Sequence, residues 1–364
     1  MSQANEALIR QLLGALIDPH TGAPLAEAVR AIGVDGARVS VDLQLGYPAA
    51  GAIDGLAMQV RQALEADPAI ASAAVSISSR IHVHKVQGTL APLPNVKNII
   101  VVASGKGGVG KSTVSANLAL ALQAEGAKVG VLDADIYGPS QPRMLGVGGR
   151  PESPDGKRIT PMQAHGLAVM SIGFLVEEDT PMIWRGPMVT QAMMQLLNDT
   201  LWEQLDYLVV DLPPGTGDIQ LTLSQKVPVA GAVIVTTPQD IALLDARKAL
   251  KMFEKVDVPV LGIVENMATH VCSNCGHEEH IFGEGGGARM AAQYTVPYLG
   301  SLPLDIRIRE QADSGRPTVV AIPESDLAAR YREIARNTAG RLSRQPRNKS
   351  LGLGKIVVQG APAA

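Results

Sequence analysis

A glycine-rich segment, VVASGKGGVGKST at residues 101–113, is the feature that most limits what this sequence can fold into. An apolar run at residues 98–103 leads into it, and a run with helical character follows from Ser112. Glycines placed between a strand and a helix let backbone N–H groups and the helix N-terminus surround a phosphate. The pattern therefore predicts a phosphate-binding loop in an α/β protein with a doubly wound, mostly parallel sheet. A tight strand-to-helix turn without a ligand is the alternative.

The residue types in this loop match the Walker A motif of P-loop NTPases, and each has a chemical role. Lys111 is expected to reach the β- and γ-phosphates of ATP and to act in catalysis, and the Ser112 hydroxyl is expected to ligate Mg²⁺. The full set of predicted nucleotide-binding positions in the loop is Gly105, Lys106, Gly107, Gly108, Val109, Gly110, Lys111, Ser112 and Thr113.

A second lysine, Lys106, follows the first glycine of the loop, where the phosphate-binding motif does not require one. With it the loop resembles the deviant-Walker ATPases of the MinD, ParA and nitrogenase iron-protein type. The resemblance implies that this lysine reaches across a dimer interface to the partner subunit's nucleotide. It therefore implies a homodimer and a catalytic role for Lys106. A solvated surface lysine is the alternative.

Carboxylates end two further predicted strands. Residues 128–132 lead into Asp133 and Asp135, and residues 208–210 lead into Asp211. The carboxyl ends of parallel strands meet at one edge of a doubly wound sheet, so these side chains are expected beside the phosphate site. Asp211 is predicted to hold Mg²⁺ through water, as a Walker B carboxylate does. The deviant-Walker resemblance assigns the attacking water to Asp135, supported by Asp133; helix N-capping by Asp135 is the alternative.

Two more segments are predicted to respond to the nucleotide. The turn-rich residues 213–218 (PPGTGD) suit a switch that senses the γ-phosphate, with an ordinary surface turn as the alternative. A predicted strand at residues 261–265 ends at Asn266, whose amide both donates and accepts hydrogen bonds. Asn266 is expected to contact adenine, because the related families place a base-contacting asparagine at this point.

The only two cysteines of the chain, Cys272 and Cys275, stand two residues apart. They supply two soft ligands, whereas a metal centre held by cysteines alone needs four. A symmetric dimer doubles the two to four, and Lys106 indicates a dimer on separate grounds. Together these features predict an iron–sulfur cluster that bridges the two-fold axis.

Other readings of the cysteine pair remain open at the level of sequence. A zinc site could add His277 or His280 to the two thiolates within one chain. A redox pair normally stands at a turn of a thioredoxin fold, of which this sequence gives no sign. A structural disulfide is disfavoured in the cytoplasm, where the protein is expected to reside.

Taken together, the motifs resemble one family, the Mrp/ApbC-type iron–sulfur cluster carriers. The matching segments are GKGGVGKS (105–112), DADIYGPS (133–140), WRGPM (184–188), VDLPPGTGD (210–218), VENM (264–267), CSNC (272–275) and IFGEGGG (281–287). The resemblance implies a homodimer that binds ATP and Mg²⁺, carries a labile [4Fe–4S] cluster between subunits and transfers it to apo-proteins. Donors of a cluster, or of iron and sulfide, would load it. Hydrolysis is expected to be slow because no arginine finger is evident.

The chain is predicted to contain two folded units. Residues 1–86 form a small α+β domain, residues 87–96 a linker, residues 97–342 the ATPase domain and residues 343–364 a flexible tail. Within the first unit, helices are expected at 6–16 and 53–66 and strands at 37–45 and 71–84. This unit resembles the small domain fused ahead of the ATPase in bacterial carriers. It lacks a cysteine after Pro48, so metal handling by it is not expected.

Composition excludes several other functions. The net charge is −3 without a long basic run, which disfavours nucleic acid as a partner. No uninterrupted apolar stretch could span a bilayer and no basic-then-apolar leader begins the chain, so no stable membrane association and a cytoplasmic location are expected. Two rivals are a MinD- or ParA-like positioning ATPase and a reductase like the nitrogenase iron protein. The first needs an amphipathic or basic tail, and the second takes its cysteines from two separate segments.

Overall fold

The computed structural model describes residues 4–175, 186–272 and 274–348. A three-stranded sheet, an eight-stranded sheet and a two-stranded hairpin organise these residues. Within those ranges, no helix has both the length and the apolar character needed to cross a membrane.

The three-stranded sheet and two helices make up the N-terminal unit. Its elements are α1 Glu6–Ala15, β1 Val29–Asp35, β2 Arg38–Leu45, α2 Ile53–Glu65 and β3 Ser72–Ser79. The central strand β2 pairs antiparallel with β1 and parallel with β3. Leu13 of α1 and Leu64 of α2 are buried in the same core as Val41 and Leu43 of β2. The helices thus cover one face of the sheet, as the alternating burial of β2 requires.

Two strand predictions for this unit need correction. Strand β1 was not expected, because its residues are largely exposed and Gly33 interrupts any alternating apolar pattern. The strand expected at 71–84 ends at Ser79, where its pairing with Leu45 closes the β2 ladder. Beyond that point the chain makes only an isolated bridge at His84. The alternation of apolar and polar residues in the sequence continues beyond Ser79, although the pairing with β2 ends there, and the predicted strand was therefore too long.

The remaining elements form the second unit, the predicted ATPase domain. They are β4 Val96–Ala103, α3 Lys111–Ala124, β5 Val129–Asp133, α4 Gln141–Met144, β6 Met162–Ala164, β7 Leu167–Ser171, α5 Gly186–Asp199, β8 Leu205–Asp211, α6 Asp218–Lys226, β9 Gly231–Thr236, α7 Asp240–Lys255, β10 Val260–Glu265, β11 His270–Val271, β12 Glu278–Glu279, α8 Gly286–Tyr294, β13 Tyr298–Ser301, α9 Ile306–Asp313, α10 Thr318–Ala321 and α11 Asp326–Ser343.

The eight-stranded sheet confirms the doubly wound prediction. Its strand order is β13-β10-β9-β4-β8-β5-β7-β6, and the only antiparallel neighbours in it are β6 and β7. Strands β5 and β9 are buried at every position, as strands covered by helices on both faces must be. Strand β4 lies between β8 and β9, so the loop that follows it opens at the centre of the sheet edge.

The segments predicted as linker and tail are fastened at their first residues. The Gln87 side chain is buried, donates to the carbonyls of Ser224 and Val227 and accepts from the Val229 N–H. Helix α11 runs to Ser343, one residue past the expected domain end. The backbone of residues 346–348 then pairs with residues 83–85. The rest of the predicted tail, residues 349–364, lies outside the described residues.

A buried carboxylate joins the N-terminal unit to the ATPase domain. Glu125, at the end of α3, accepts from Arg332 Nε at 2.7 Å and from Arg336 Nη1 at 2.6 Å, both on α11. Its other oxygen accepts from the Gly51 N–H at 2.8 Å, directly before α2. One side chain therefore connects three parts of the fold.

We expect Glu125→Gln to lower the free energy of unfolding by about 3 kcal/mol, because it removes the buried charge that holds two half-buried guanidinium groups. Urea denaturation followed by circular dichroism measures the change. The matched control is Glu254→Gln, which removes the exposed Lys251 ion pair on α7 and should cost less than about 1 kcal/mol. Equal effects of the two variants would contradict a structural role for Glu125.

Candidate functional site

The glycine-rich loop between β4 and α3 has the backbone geometry of a phosphate cradle. Gly110, directly before α3, has φ of 81°, and a Cβ at this position would collide with the Asn266 side chain. A Cβ at Gly105 would collide with the backbone of Asp245 on α7. Gly107 and Gly108 are exposed at the tip of the loop. Only glycine fits at Gly105 and Gly110 without a collision, which is why the motif could be recognised from sequence.

Three predicted residues meet at the start of α3. Lys111 Nζ lies 2.6 Å from Asp211 Oδ1 and 3.1 Å from Ser112 Oγ. The Lys111 and Asp211 side chains are 6% and 0% exposed, so the ion pair is shielded from solvent. Ser112 and Thr113 are half-buried on the first turn of the helix, and Val109 is buried beneath the loop.

The Asp211 carboxylate is held by two further donors that the sequence reasoning missed. Ser115 Oγ donates to Oδ1 at 2.8 Å, and Gln141 Nε2 donates to Oδ2 at 3.0 Å. Ser115 lies one turn after Lys111 on α3, and Gln141 directly follows the DADIYGPS segment. The helical spacing was a usable signal for Ser115, whereas Gln141 reaches Asp211 only through the fold.

Asp133, predicted to support Asp135, is fully buried and bonds to the backbone of the loop that follows β5. Oδ2 accepts from the N–H groups of Ser140 and Gln141, and Oδ1 accepts from the N–H of Asp135. Burial, and next the charge of Asp211, raise the pKa of Asp133 to about 7. The carboxylate thus shapes the acidic loop that connects β5 to α4.

Asp135 is half-buried at the mouth of the same loop. Burial raises the pKa of its carboxyl, while the charge of Lys111 and hydrogen bonds from the backbone at Gly138 and Tyr137 oppose that shift. The alternative of a helix N-cap is wrong, because the next helix, α4, begins after Ser140. A role toward an attacking water stays a prediction.

Lys106 lies half-buried on the rim of the loop. The Ser104 hydroxyl donates to its backbone carbonyl at 2.9 Å, which fixes the main chain at this point. Among the residues that the structure describes, the Lys106 ammonium forms no ion pair. Its action across a dimer interface stays a prediction.

The end of β10 supports the loop from the other side. Asn266 Nδ2 donates to the Val109 carbonyl at 2.9 Å, so the amide steadies the loop; contact with adenine stays a prediction. Glu265 is buried, and it accepts from the Gly287 N–H at 3.0 Å and from the Tyr298 hydroxyl at 2.9 Å. It therefore fixes the start of α8, a contact that sequence reasoning missed.

The turn at residues 213–218 crosses the base of the loop. The Gly215 N–H donates to the Ser104 carbonyl at 3.0 Å, and Gln220 Nε2 donates to the Pro214 carbonyl. These bonds place the turn beside β4. Sensing of the γ-phosphate by this turn stays a prediction. Of the family segments, residues 184 and 185 lie outside the described part of the chain.

The two cysteines stand on a short hairpin built from β11 and β12. The Cys272 N–H donates to the His277 carbonyl at 2.9 Å, and the Gly276 N–H donates to the Cys272 carbonyl at 2.8 Å. Cys272 is half-buried and Cys275 is exposed. Backbone N–H groups of Asn274 and Cys275 lower the pKa of the Cys272 thiol and so favour the thiolate.

Within the described ranges, no three His, Cys, Asp or Glu side chains converge as a metal site would require. His280 Nδ1 instead lies 3.2 Å from the Ala268 carbonyl, and His277 is exposed. The single-chain zinc site considered from sequence thus has no third ligand in this arrangement. The two thiols face solvent, where a second molecule can reach them.

Comparison with known proteins relates both units to iron–sulfur metabolism. Residues 95–339 match the ParA family described as NUBPL iron-transfer P-loop NTPase, and residues 6–77 match a family of iron–sulfur cluster assembly proteins. An iron–sulfur cluster carrier protein of Pseudomonas fragi is 63% identical over 274 residues, covering 75% of this chain and 95% of that protein. The iron–sulfur cluster transfer protein NUBPL of Mus musculus is 52% identical over 257 residues, covering 70% and 81%.

A solved structure gives the same relation for the fold. A nucleotide-binding protein from Archaeoglobus fulgidus, in complex with ADP, superposes with a TM-score of 0.56 and 40% sequence identity. The superposition covers 64% of this chain and 91% of that protein.

We expect Lys111→Ala to lower ATP turnover at least about 100-fold, because it removes the buried charge that would stabilise the transferred phosphoryl group. Turnover is measured as phosphate release, and circular dichroism checks that the variant is folded. Lys97→Ala is the control, because Lys97 pairs with Asp206 at the opposite end of β4. Unchanged turnover in folded Lys111→Ala protein would contradict the assignment of the loop.

Proposed function

This chain belongs to the ParA-type family of NUBPL iron-transfer P-loop NTPases, and on that basis we propose that it is a homodimeric carrier of a [4Fe–4S] cluster. It is an iron–sulfur cluster carrier with a P-loop NTPase domain. We propose further that slow ATP hydrolysis drives loading or release, and that apo-proteins receive the cluster. One observation supports this proposal most directly. The hairpin that holds Cys272 and Cys275 follows β10, and Asn266 at the end of β10 hydrogen-bonds to the P-loop.

The number of thiols supports a second copy of the chain as the other half of the cluster site. A cubane cluster held by cysteines takes four thiolates, and one chain has two. Both are accessible at the tip of a hairpin, and the described residues bring no further ligand to them. Two hairpins that meet across a two-fold axis supply the full set. The lowered pKa of Cys272 prepares one thiolate of each pair for iron.

The nucleotide site has the groups that phosphoryl transfer needs. In the proposed reaction, Lys111 neutralises charge on the β- and γ-phosphates and Asp135 orients the attacking water. Lys106 of the partner subunit adds a positive charge from outside, as the deviant-Walker resemblance implies. Among the described residues, the hydrogen bonds and ion pairs of Lys111 and Asp211 include no arginine, and in the proposal turnover is slow until the second copy completes the site.

The oxygen donors around the loop fit Mg²⁺. Ser112 offers a hydroxyl, Asp211 a carboxylate, and Asp135 lies near enough for its pKa to respond to the charge of Asp211. Burial first, and then the charge of Asp211, raises the pKa of Asp133, while the charge of Lys111 opposes the shift. Such an excess of carboxylates suits a hard divalent cation. We assign Ser112 and Asp211 to hold Mg²⁺, which when bound neutralises charge on the phosphate oxygens.

The end of β10 offers a route between nucleotide and cluster. Asn266 hydrogen-bonds to the P-loop, and Glu265 fixes the start of α8. The cysteine hairpin lies between Asn266 and α8 in sequence. The root of the hairpin is held as well, because the Ala268 N–H donates to the Leu302 carbonyl at 2.9 Å. A displacement of the loop on ATP hydrolysis would therefore be transmitted to the spacing of the two hairpins.

We expect Lys106→Ala to reduce ATP turnover while nucleotide binding by the separated chain stays largely intact, because this lysine acts on the other subunit's nucleotide. Mixing Lys106→Ala with Asp135→Ala chains tests the assignment. A mixed dimer has one composite site with both lesions and one with neither, so turnover per mixed dimer should recover toward about half of the native value, and that of an equal random mixture toward about a quarter.

Native mass spectrometry of differently tagged chains must confirm that mixed dimers form. If they form and turnover does not recover, Lys106 acts within its own chain. Each variant mixed with itself serves as the matched control.

We expect anaerobic reconstitution with iron and sulfide to load about four iron atoms per two chains, with the absorption of a [4Fe–4S] cluster. Cys272→Ala and Cys275→Ala should each lose the cluster or hold it only briefly, and cluster transfer to an apo-protein should fail. ATP binding should survive both changes, because the thiols lie outside the P-loop.

The control variants are His277→Ala and His280→Ala, which should load iron as the native chain does. A colourless protein with one zinc per chain, no iron uptake and sensitivity to either histidine would overturn the carrier site. It would leave an ATPase with a structural zinc hairpin.

A further inference from the structure

The side-chain amide of Gln141 lies where the P-loop helix, the acidic loop after β5 and the end of β8 meet. Its Nε2 donates to the Ser112 carbonyl and to Asp211 Oδ2, each at 3.0 Å. The backbone N–H of the same residue donates to Asp133 Oδ2 at 3.0 Å, and the residue is 0% exposed. One buried glutamine therefore connects three parts of the nucleotide site.

These contacts fix the orientation of the amide. The Ser112 carbonyl and the Asp211 carboxylate accept hydrogen bonds and do not donate them. The amide nitrogen of Gln141 must face both, because an amide turned over would direct its oxygen at two other oxygens. Both N–H bonds of Nε2 are used in this way, and Oε1 is the polar atom of the side chain that remains.

The amide oxygen of Gln141 is buried, and no donor reaches it among the residues that the structure describes. The other donors to the same carboxylate, Lys111 and Ser115, are directed at Asp211 Oδ1 instead. The Ser140 hydroxyl, one residue earlier, is also buried without a partner in the described part of the chain. A buried carbonyl without a donor is costly, so Oε1 is expected to receive one when the site is in use.

The donor that fits this position is a water molecule bound to Mg²⁺. Nucleotide phosphate oxygens accept hydrogen bonds, so they cannot pair with an amide oxygen. Mg²⁺ keeps several of its waters in protein sites, and a bound cation makes such waters better donors. The amide is bonded to both residues that we assign to the cation, Ser112 and Asp211, which places Oε1 beside that site.

We propose that Gln141 is a positioning residue for Mg²⁺: its amide nitrogen holds the Asp211 carboxylate, and its amide oxygen accepts a hydrogen bond from a water of the cation. Partners of this kind orient the groups that ligate a metal and raise its affinity. The inference rests on the proposed nucleotide site, and it gives Gln141 no contact with the phosphates. A buried water unrelated to the cation would satisfy the same oxygen, and the experiment separates these two cases.

Binding of ADP at a series of free Mg²⁺ concentrations tests the proposal without turnover. Isothermal titration gives the Kd of ADP, and the Mg²⁺ requirement is the free concentration that produces half of the full effect on this Kd. Gln141→Met keeps the length of the side chain and removes both polar atoms. We expect it to raise the Mg²⁺ requirement about tenfold. In EDTA the variant and the native chain should bind ADP equally well, because Gln141 does not touch the phosphates.

Gln141→Glu tests the oxygen separately from the nitrogen. It keeps an oxygen that accepts from a water of the cation, but it loses the donor to Asp211 and places a second carboxylate there. We expect a lower Tm without Mg²⁺, and a Mg²⁺ requirement at or below the native value. A purely structural role for the amide predicts that Gln141→Glu is impaired at least as much as Gln141→Met. If Gln141→Met does not fold, a raised Mg²⁺ requirement in Gln141→Glu is enough to overturn the proposal.

Gln87→Met is the matched control. Gln87 is also a buried glutamine, but its amide donates to the carbonyls of Ser224 and Val227 at the end of α6. This variant should lose stability and keep the native Mg²⁺ requirement. An unchanged requirement in folded Gln141→Met, or an equal rise in Gln87→Met, would overturn the role of Gln141 and leave the nucleotide site standing. If ADP binding by the native chain does not respond to Mg²⁺, the proposed nucleotide site itself is wrong.

Discussion

The buried carboxylate of Asp211 is the group around which the nucleotide site is assembled. It stands at the end of β8 and binds side chains from the P-loop helix and from α4, through Lys111, Ser115 and Gln141. A buried charge without partners would cost several kcal/mol, so each of these elements is held in place by the same requirement. The order of strands in the sheet then decides which loops can contribute. Because β4 and β5 flank β8, the segments that follow these two strands supply the described side chains that bind Asp211.

A second constraint fixes the N-terminal unit against the ATPase domain. The buried residues of both units form one continuous hydrophobic core, and Glu125 adds a buried polar junction to it. The His20 ring adds another, with Nδ1 3.0 Å from Asn337 Oδ1 on α11. Buried polar groups at such a junction are stable only when each one meets a specific hydrogen-bond partner, whereas apolar surfaces can pack in several orientations. They therefore select one orientation of the small unit.

The features that depend on local motifs could be predicted from the sequence. The features that depend on contacts between distant residues could not. The glycines of the P-loop, Asp211 at a strand end and the spacing of Cys272 and Cys275 each carry their meaning within a few residues. Gln141 reaches Asp211 only because the sheet brings the two loops together. Strand β1 was missed because an exposed edge strand needs no apolar alternation. The pairing of His84 with Arg347 joins segments from opposite parts of the chain, which no periodicity reveals.

The described residues of the cysteine hairpin add no strand to the eight-stranded sheet and no member to the buried core. Residues 270–279 could therefore be altered without exposing apolar surface or opening a cavity in the domain. Selection on the fold and selection on the cargo consequently act on separate residues. An ancestral nucleotide-binding protein could therefore acquire, lose or exchange a metal-binding hairpin by changes at about ten positions. The nucleotide-binding domain would stay under separate constraints.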